Sequence, residues 1–285
     1  MLNLDEIVDG GLRLIPLPQA YLRIRDLVND PRASTGSIAG VIATDPALTA
    51  RLLRVANAPI FGCAGRVDTV TKAVHLLGAT EIHNLALAVS TLGAAHRLGG
   101  DLVDAEAFWR YSVHTAVLAR TLGRKLRSIQ AEGLFVAGLL HAIGHLLLCH
   151  RLPEEMRAVL ASSRAGSRPL HAVERERFGL DYAAVGAALL GRWQLPPALC
   201  DAIGGHTAPV QGERFSLDAA IVHIAAVLAA GAAWREGDPD TVPDIEPLAI
   251  LVTDLDVDTV PALLAETEVQ VAEALLALRP QRAAA

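Results

Sequence analysis

The sequence predicts an all-α protein, and three observations carry that expectation. The chain of 285 residues is 52% hydrophobic but only 4% aromatic, with much Ala and Leu. Those two residues lead the helix scale, whereas strands favour Val, Ile and aromatics. Pro or Asp recurs before apolar stripes and Gly after them, which is helix punctuation. Strand-like alternation, internal repeats and low-complexity blocks are missing apart from the trailing "RAAA".

Taken in order, "PLPQAYLRIRDLVNDP" opens with prolines, sets Leu22, Leu27 and Val28 on a helical stripe, and stops at Asp30-Pro31. In "TDPALTARLLRVANAPIFG", Asp45 is the N-cap and Pro46 the first helical residue, with Leu48, Leu52 and Val55 facing the core. "DTVTKAVHLLG" turns Val70, Val74 and Leu77 inward and stops at Gly78. "ATEIHNLALAVSTLGAAHRLGG" continues as a longer helix, and Gly99-Gly100 with Asp101 forms the best internal boundary. "DAEAFWRYSVHTAVLARTLGRKL" follows, then "SIQAEGLFVAGLLHAIGHLLLCHRL" as one buried helix capped by Ser128. Further helices are expected near Leu170–Phe178, Asp181–Trp193, Pro196–Ile203 and Leu217–Trp234. Arg235–Asp244 reads as a polar linker. "PALLAETEVQVAEALLAL" reads as an amphipathic helix with Leu263, Val269, Val271 and Leu275 among its apolar positions, packing on the main body, with a partner-binding tail as the alternative.

Composition narrows function. A net charge of −6 disfavours nucleic acid, which needs a basic face, unless Arg51, Arg54, Arg120 and Arg124 form one stripe. Cys63, Cys149 and Cys200 are far apart and form no C-x-x-C, so they read as small buried hydrophobes in a reducing compartment. "MLNLDEIVDGGLRLIP" carries early acids and no long apolar block, unlike a secretory signal. The apolar run Leu134–Leu148 is shorter than the roughly 20 residues of a membrane span. A soluble, cytoplasmic protein without membrane association is expected.

Nucleotide-binding fingerprints (G-x-G-x-x-G, G-x-x-x-x-G-K-[ST]) and the G-x-S-x-G elbow do not occur, so no cofactor is expected. Histidines are the concentrated chemical resource: His75, His83, His96, His114, His141, His145, His150, His171, His206 and His223. In "LLHAIGH", His141 and His145 stand four apart and share one face if the segment is helical.

The ordered motifs "DPALTARLLRVAN", "AVHLLG", "FWRYSVHTAVLAR", "AGLLHAIGHLLL" and "FGLDYAAVGAALLGRWQLPPALCDAIGGH" resemble the HDOD domain, an HD-related output domain of bacterial signalling proteins. The resemblance runs from about Leu14 to Ala230. It implies an N-terminal helical layer packed on a degenerate HD-type bundle: residues 1–100 and 101–235, followed by a linker and C-terminal helical extension over 236–285.

Related HD phosphohydrolases hold metal through a His, a His-Asp pair and a distant Asp. Carboxylates there supply the charge that holds divalent ions, and the metal acidifies a bound water. Carried over, the first His is His114 and the pair is His141-Ala142. The distant Asp falls near Ala226, and eight helical residues place Asp218 about 12 Å too far away. Both carboxylates are therefore missing, which agrees with a family regarded as lacking hydrolase activity. An all-imidazole site from His114, His141, His145 and His206 is the alternative, though neighbouring segments supply few supporting carboxylates. The expectation is a non-catalytic, metal-free signalling module with a vestigial pocket at His114, His141, Ala142, His145, His206 and Ala226. With no receiver or other output domain expected in the chain, its signalling partners are supplied in trans, or it self-associates. An altered metal-dependent phosphohydrolase is the competing reading.

Overall fold

The computed structural model describes residues 3–14, 19–30, 32–63, 65–95, 98, 100–128, 131–211, 214–233 and 245–278. The whole of the expected linker Arg235–Asp244 lies outside them, as do His96 and, at the expected boundary, Gly99. The described chain is all-α and clusters into two compact units, residues 1–15 with 95–264 and residues 16–94 with 265–285.

The second unit contains α2 (Gln19–Val28), α3 (Thr35–Ala43), α4 (Pro46–Ala56), α5 (Val70–Leu77) and α6 (Ala79–Ala95). Asp45 caps α4 through the N–H groups of Ala47 and Leu48, Pro46 starts it, and Leu48, Leu52 and Val55 are buried, as expected. The buried face of α2 differs from the expected stripe. Ala20, Tyr21 and Ile24 are buried while Leu22, Leu27 and Val28 are half-buried. Both stripes carry apolar residues, and the Tyr21 ring decides between them by stacking on His83 with centroids 4.9 Å apart.

The first unit contains α1 (Leu4–Leu14), α7 (Ala105–Lys125), α8 (Ala131–Leu140), α9 (Ile143–Arg151), α10 (Pro153–Ala165), α11 (Leu170–Phe178), α12 (Tyr182–Arg192), α13 (Pro197–Gly205), α14 (Leu217–Ala233) and α15 (Pro247–Thr253). Helix α7 packs along α8 and α14, while α12 packs on α9, α13 and α1. A two-residue antiparallel ribbon pairs Val210 with Phe215 and Gln211 with Arg214. It is too short to leave an alternating pattern in the sequence.

Three further differences from the sequence expectation stand out. Helices α1, α3, α10 and α15 are additional to those read from the sequence. Helix α16 (Val260–Leu278) buries Leu263, Thr267, Val271, Ala274 and Leu278, with Leu275 half-buried, but turns Val269 to solvent at 65% exposure. The expected single helix through "LLHAIGH" is two helices, broken at His141-Ala142, with Ala142 at the N-cap of α9. The stretch Gly133–Arg151 is long and apolar enough to cross a membrane by composition, yet most of it is buried inside the structure.

Two glycines set how closely these helices approach. A Cβ at Gly138 would lie 2.7 Å from both Ala116 Cα and Thr115 O on α7. A Cβ at Gly144 would overlap Tyr182 O and lie 2.5 Å from Gly186 N, so α9 and α12 meet backbone to backbone. Gly144→Ala is expected to destabilise the protein by about 3 kcal/mol, since the obstructing atoms are main chain. Gly191→Ala, with open space at its Cβ, is expected to be neutral or stabilising by up to about 1 kcal/mol. Urea unfolding of the two variants checks both signs.

Candidate functional site

The break between α8 and α9 sets His141 in the core, fully buried. Its Nδ1 lies 2.7 Å from the carbonyl oxygen of Gly138, so the ring is assigned as the Nδ1–H tautomer donating there. This leaves the Nε2 lone pair of His141 buried without a partner. His206, at the end of α13, repeats the pattern by donating from Nδ1 to Ile203 O at 2.6 Å. Its Nε2 then accepts from the Tyr182 hydroxyl at 3.2 Å. His223 on α14 does the same: Nδ1 donates to His206 O at 2.8 Å and Nε2 accepts from Glu246 N at 3.0 Å.

Aromatic packing draws the rings together. The His141 ring meets Tyr111 edge-on at 4.9 Å and His206 edge-on at 5.3 Å, and Tyr182 lies 5.5 Å from His206. Burial pulls the His141 pKa down to about 4 against the Gly138 carbonyl, which favours the charged ring. Burial, followed by the neighbouring His141, carries His206 well below the usual histidine value. Both imidazoles are neutral near pH 7.

His145 faces elsewhere. Its Nε2 is 3.6 Å from the Cys149 sulfur one turn along α9, and its Nδ1 is 3.8 Å from Oε1 of Glu174 on α11. Glu174 is fully buried and its Oε2 accepts from Tyr182 N at 2.8 Å. Burial opposes the charged form of His145, but the Cys149 thiol and the Glu174 carboxylate carry its pKa up to about 9. Burial raises the pKa of Glu174, with His145 opposing. Next to this pair, Asp181 caps α12 and accepts from Thr207 Oγ1 at 2.7 Å, while Arg175 reaches Asp181 at 2.6 Å and Thr207 at 2.7 Å.

The six residues singled out by sequence therefore do not form one cluster. His141 and His206 meet, and Ala142 adjoins them in the chain. His145 turns both nitrogens to Cys149 and Glu174. His114 is half-buried on α7, its pKa lowered by burial and then by Arg110, and among the described residues no hydrogen bond or ring contact joins it to the other three. Ala226 is buried in α14, and Asp218 accepts from Ser128 Oγ at 2.8 Å. Tyr111, Glu174, Tyr182, Asp181 and His223 are the polar members sequence reasoning missed. Of the carboxylates here, Glu174 is the one that approaches a singled-out histidine, 3.8 Å from His145 Nδ1. The N-cap position of Asp181, after Gly179, was the one local signal available.

An HD-type metal does not fit this arrangement. No acid stands at Ala142 or near Ala226, where the resemblance would place the carboxylates, the Tyr182 hydroxyl takes the His206 lone pair, and both His145 nitrogens are turned to other groups. Among the described residues, no three His, Cys, Asp or Glu side chains are grouped to hold an ion. Of the three cysteines, all free, only Cys149 is fully buried; Cys63 and Cys200 are half-buried.

Opposite pH dependences follow from the two kinds of histidine. His141 binds protons less readily when folded, so its contribution to stability is complete above the unfolded value of 6.5 and is lost as pH falls towards 4. His145 binds them more readily, so its contribution is complete below 6.5 and is lost as pH rises through about 9. Urea midpoints at pH 5, 7 and 9 should fall on both sides of neutrality, and Glu174→Gln should flatten the alkaline side. Histidine ring NMR should show His141 and His206 neutral at pH 6 and His145 still charged at pH 8.

The HDOD domain family matches residues 14–209. An uncharacterized protein of Treponema pallidum (strain Nichols) is 26% identical over 192 residues, which span 67% of this chain but only 37% of that protein. A crystal structure named "Putative phosphohydrolase" from Shewanella amazonensis SB2B is 27% identical, with a TM-score of 0.75, covering 96% of this chain and 97% of its own. An HDOD domain protein with unknown function from Geobacter sulfurreducens shares the fold at 23% identity and a TM-score of 0.68, with 96% of each chain covered. A "Putative signal transduction protein" from Marinobacter aquaeolei VT8 shares it at 24% identity and a TM-score of 0.68, covering 94% of this chain and 61% of its own. With the family match extending across most of the chain, this protein belongs to the HDOD domain family.

Proposed function

We propose that the chain is a non-catalytic signal-transduction module of a bacterial regulatory pathway, acting through contacts with partner proteins. The observation that carries this reading is the chemistry at His141-Ala142. Where an HD hydrolase would place a carboxylate beside the histidine, this chain places a methyl group that is 6% exposed. On α14 the resemblance would put the distant carboxylate near Ala226, which is likewise buried. Without those charges the site lacks the means to hold a divalent ion and acidify its water. His141 and His206 serve as packed, neutral core groups, while His145 is held charged beside Glu174. The names of the structural relatives divide between signal transduction and phosphohydrolase, so they do not choose between the readings.

One observation favours the second reading, a phosphohydrolase with an altered centre. Glu174 Oε1, His145 Nδ1 and His141 Nε2 are all buried without hydrogen-bond partners among the described residues, so polar capacity survives in this core. Elemental analysis of tag-free protein purified without chelator decides between them, run beside hydrolysis of bis(p-nitrophenyl) phosphate. The expected result is metal well below one equivalent and turnover at the buffer rate. Near-stoichiometric metal that disappears, together with turnover, in His141→Ala would overturn the non-catalytic reading.

A further inference from the structure

The second unit contains a cleft that the reading above does not use. A cavity of about 400 Å³ opens between the last turn of α4 and the segment leading into α5, lined by Leu53, Arg54, Asn57, Arg66, Val67 and Asp68. That volume lies within the range of about 300–1,000 Å³ typical of small-molecule sites. Arg54 and Arg66 are both exposed at its lining, and neither guanidinium has a carboxylate partner among the described residues. In a chain with a net charge of −6, two arginines lining one cavity without a carboxylate partner among the described residues are a local reversal of sign.

The walls are held in place. Asn57 Nδ2 donates to Leu53 O at 2.6 Å and to Val67 O at 2.7 Å, and Asn57 Oδ1 accepts from Val67 N at 2.8 Å. One side-chain amide thus ties the end of α4 to the opposite wall. Lys72 Nζ adds a bond to Arg66 O at 2.5 Å and lies 3.9 Å from Asp68. Thr69 caps α5 just beyond. The backbone carrying both arginines is fixed before a ligand arrives, which lowers the ordering cost of binding.

We propose that this cleft binds a small phosphorylated ligand. The forks of Arg54 and Arg66 match phosphate oxygens and bond them with charge assistance. Asp68 on the same wall repels a second anionic group and accepts from a hydroxyl or amine. The ligand class is therefore a phosphate joined to a hydroxyl-bearing or amino-bearing body, as in a nucleoside monophosphate. Leu53 and Val67 supply the apolar surface for that body.

Isothermal titration of the full chain tests the proposal in about 0.15 M NaCl, with adenosine 5′-monophosphate, inorganic pyrophosphate and a dephosphorylated single-stranded oligonucleotide as probes. The expected result is one site for the monophosphate, weakened about tenfold by Arg54→Gln or by Arg66→Gln and unchanged by Arg23→Gln, an exposed arginine of the same unit. Asp68→Asn should weaken the monophosphate yet strengthen pyrophosphate, a crossover that nonspecific charge attraction does not produce. Circular dichroism and urea midpoints equal to wild type establish that the variants are folded. No binding of the monophosphate at millimolar concentration overturns the proposal, as does binding unaffected by either arginine change. Binding of the oligonucleotide alone overturns it in favour of a nucleic-acid surface.

Discussion

The backbone contact between α9 and α12 at Gly144 is the constraint on which the histidine core depends. Two main chains meet there with no side chain between them. Because His145 follows Gly144 directly and Tyr182 supplies the obstructing carbonyl, the close approach itself brings imidazole and phenol within 6.3 Å. Gly138 acts similarly on α8. Its lack of a side chain lets α7 press close, and its carbonyl fixes the tautomer of His141. Steric permission from two glycines thereby becomes electrostatic order around three rings.

That order has a consistent form. His141, His206 and His223 each donate from Nδ1 to a backbone carbonyl and present Nε2 as an acceptor. A metal-binding imidazole is commonly oriented in the same way. Here two of the three lone pairs meet a hydroxyl and a backbone N–H instead. Burial keeps His141 and His206 neutral, while the charge this core can hold is concentrated on His145 beside Glu174. The arginine stripe that would have revived nucleic-acid binding does not form: Arg120 is 1% exposed within α7.

Local signals were legible in the sequence wherever they were chemical. Asp45-Pro46 marked the start of α4, and Gly78 marked the end of α5 with a φ of +85°. Their meaning depends on neighbours only a few residues away. The break at His141-Ala142 carried no such mark, because "GLLHAIGHLLL" is apolar on all sides and gives no period that an interruption could disturb. Glu174 and Tyr182 were hidden for another reason. Their partner His145 lies 29 and 37 positions earlier in the chain, and the α9–α12 crossing that joins them is a tertiary event. Of the positions singled out, His141 and His206 meet in the core, but the partners that occupy each ring were not legible.

The path of the chain through the first unit also bears on the timing of its assembly. Helix α1 is synthesised early but packs on α9 and α12, and Arg192 bonds to both Asp5 and Asp9 across separations of 187 and 183 residues. At the usual pace of about 5–20 residues per second, the ribosome needs on the order of ten seconds or more to deliver that arginine. Throughout that interval the apolar face of α1, with Ile7 and Val8, has no native surface from α9 or α12 to cover it until those helices emerge. Docking of this first helix therefore waits on translation as far as α12.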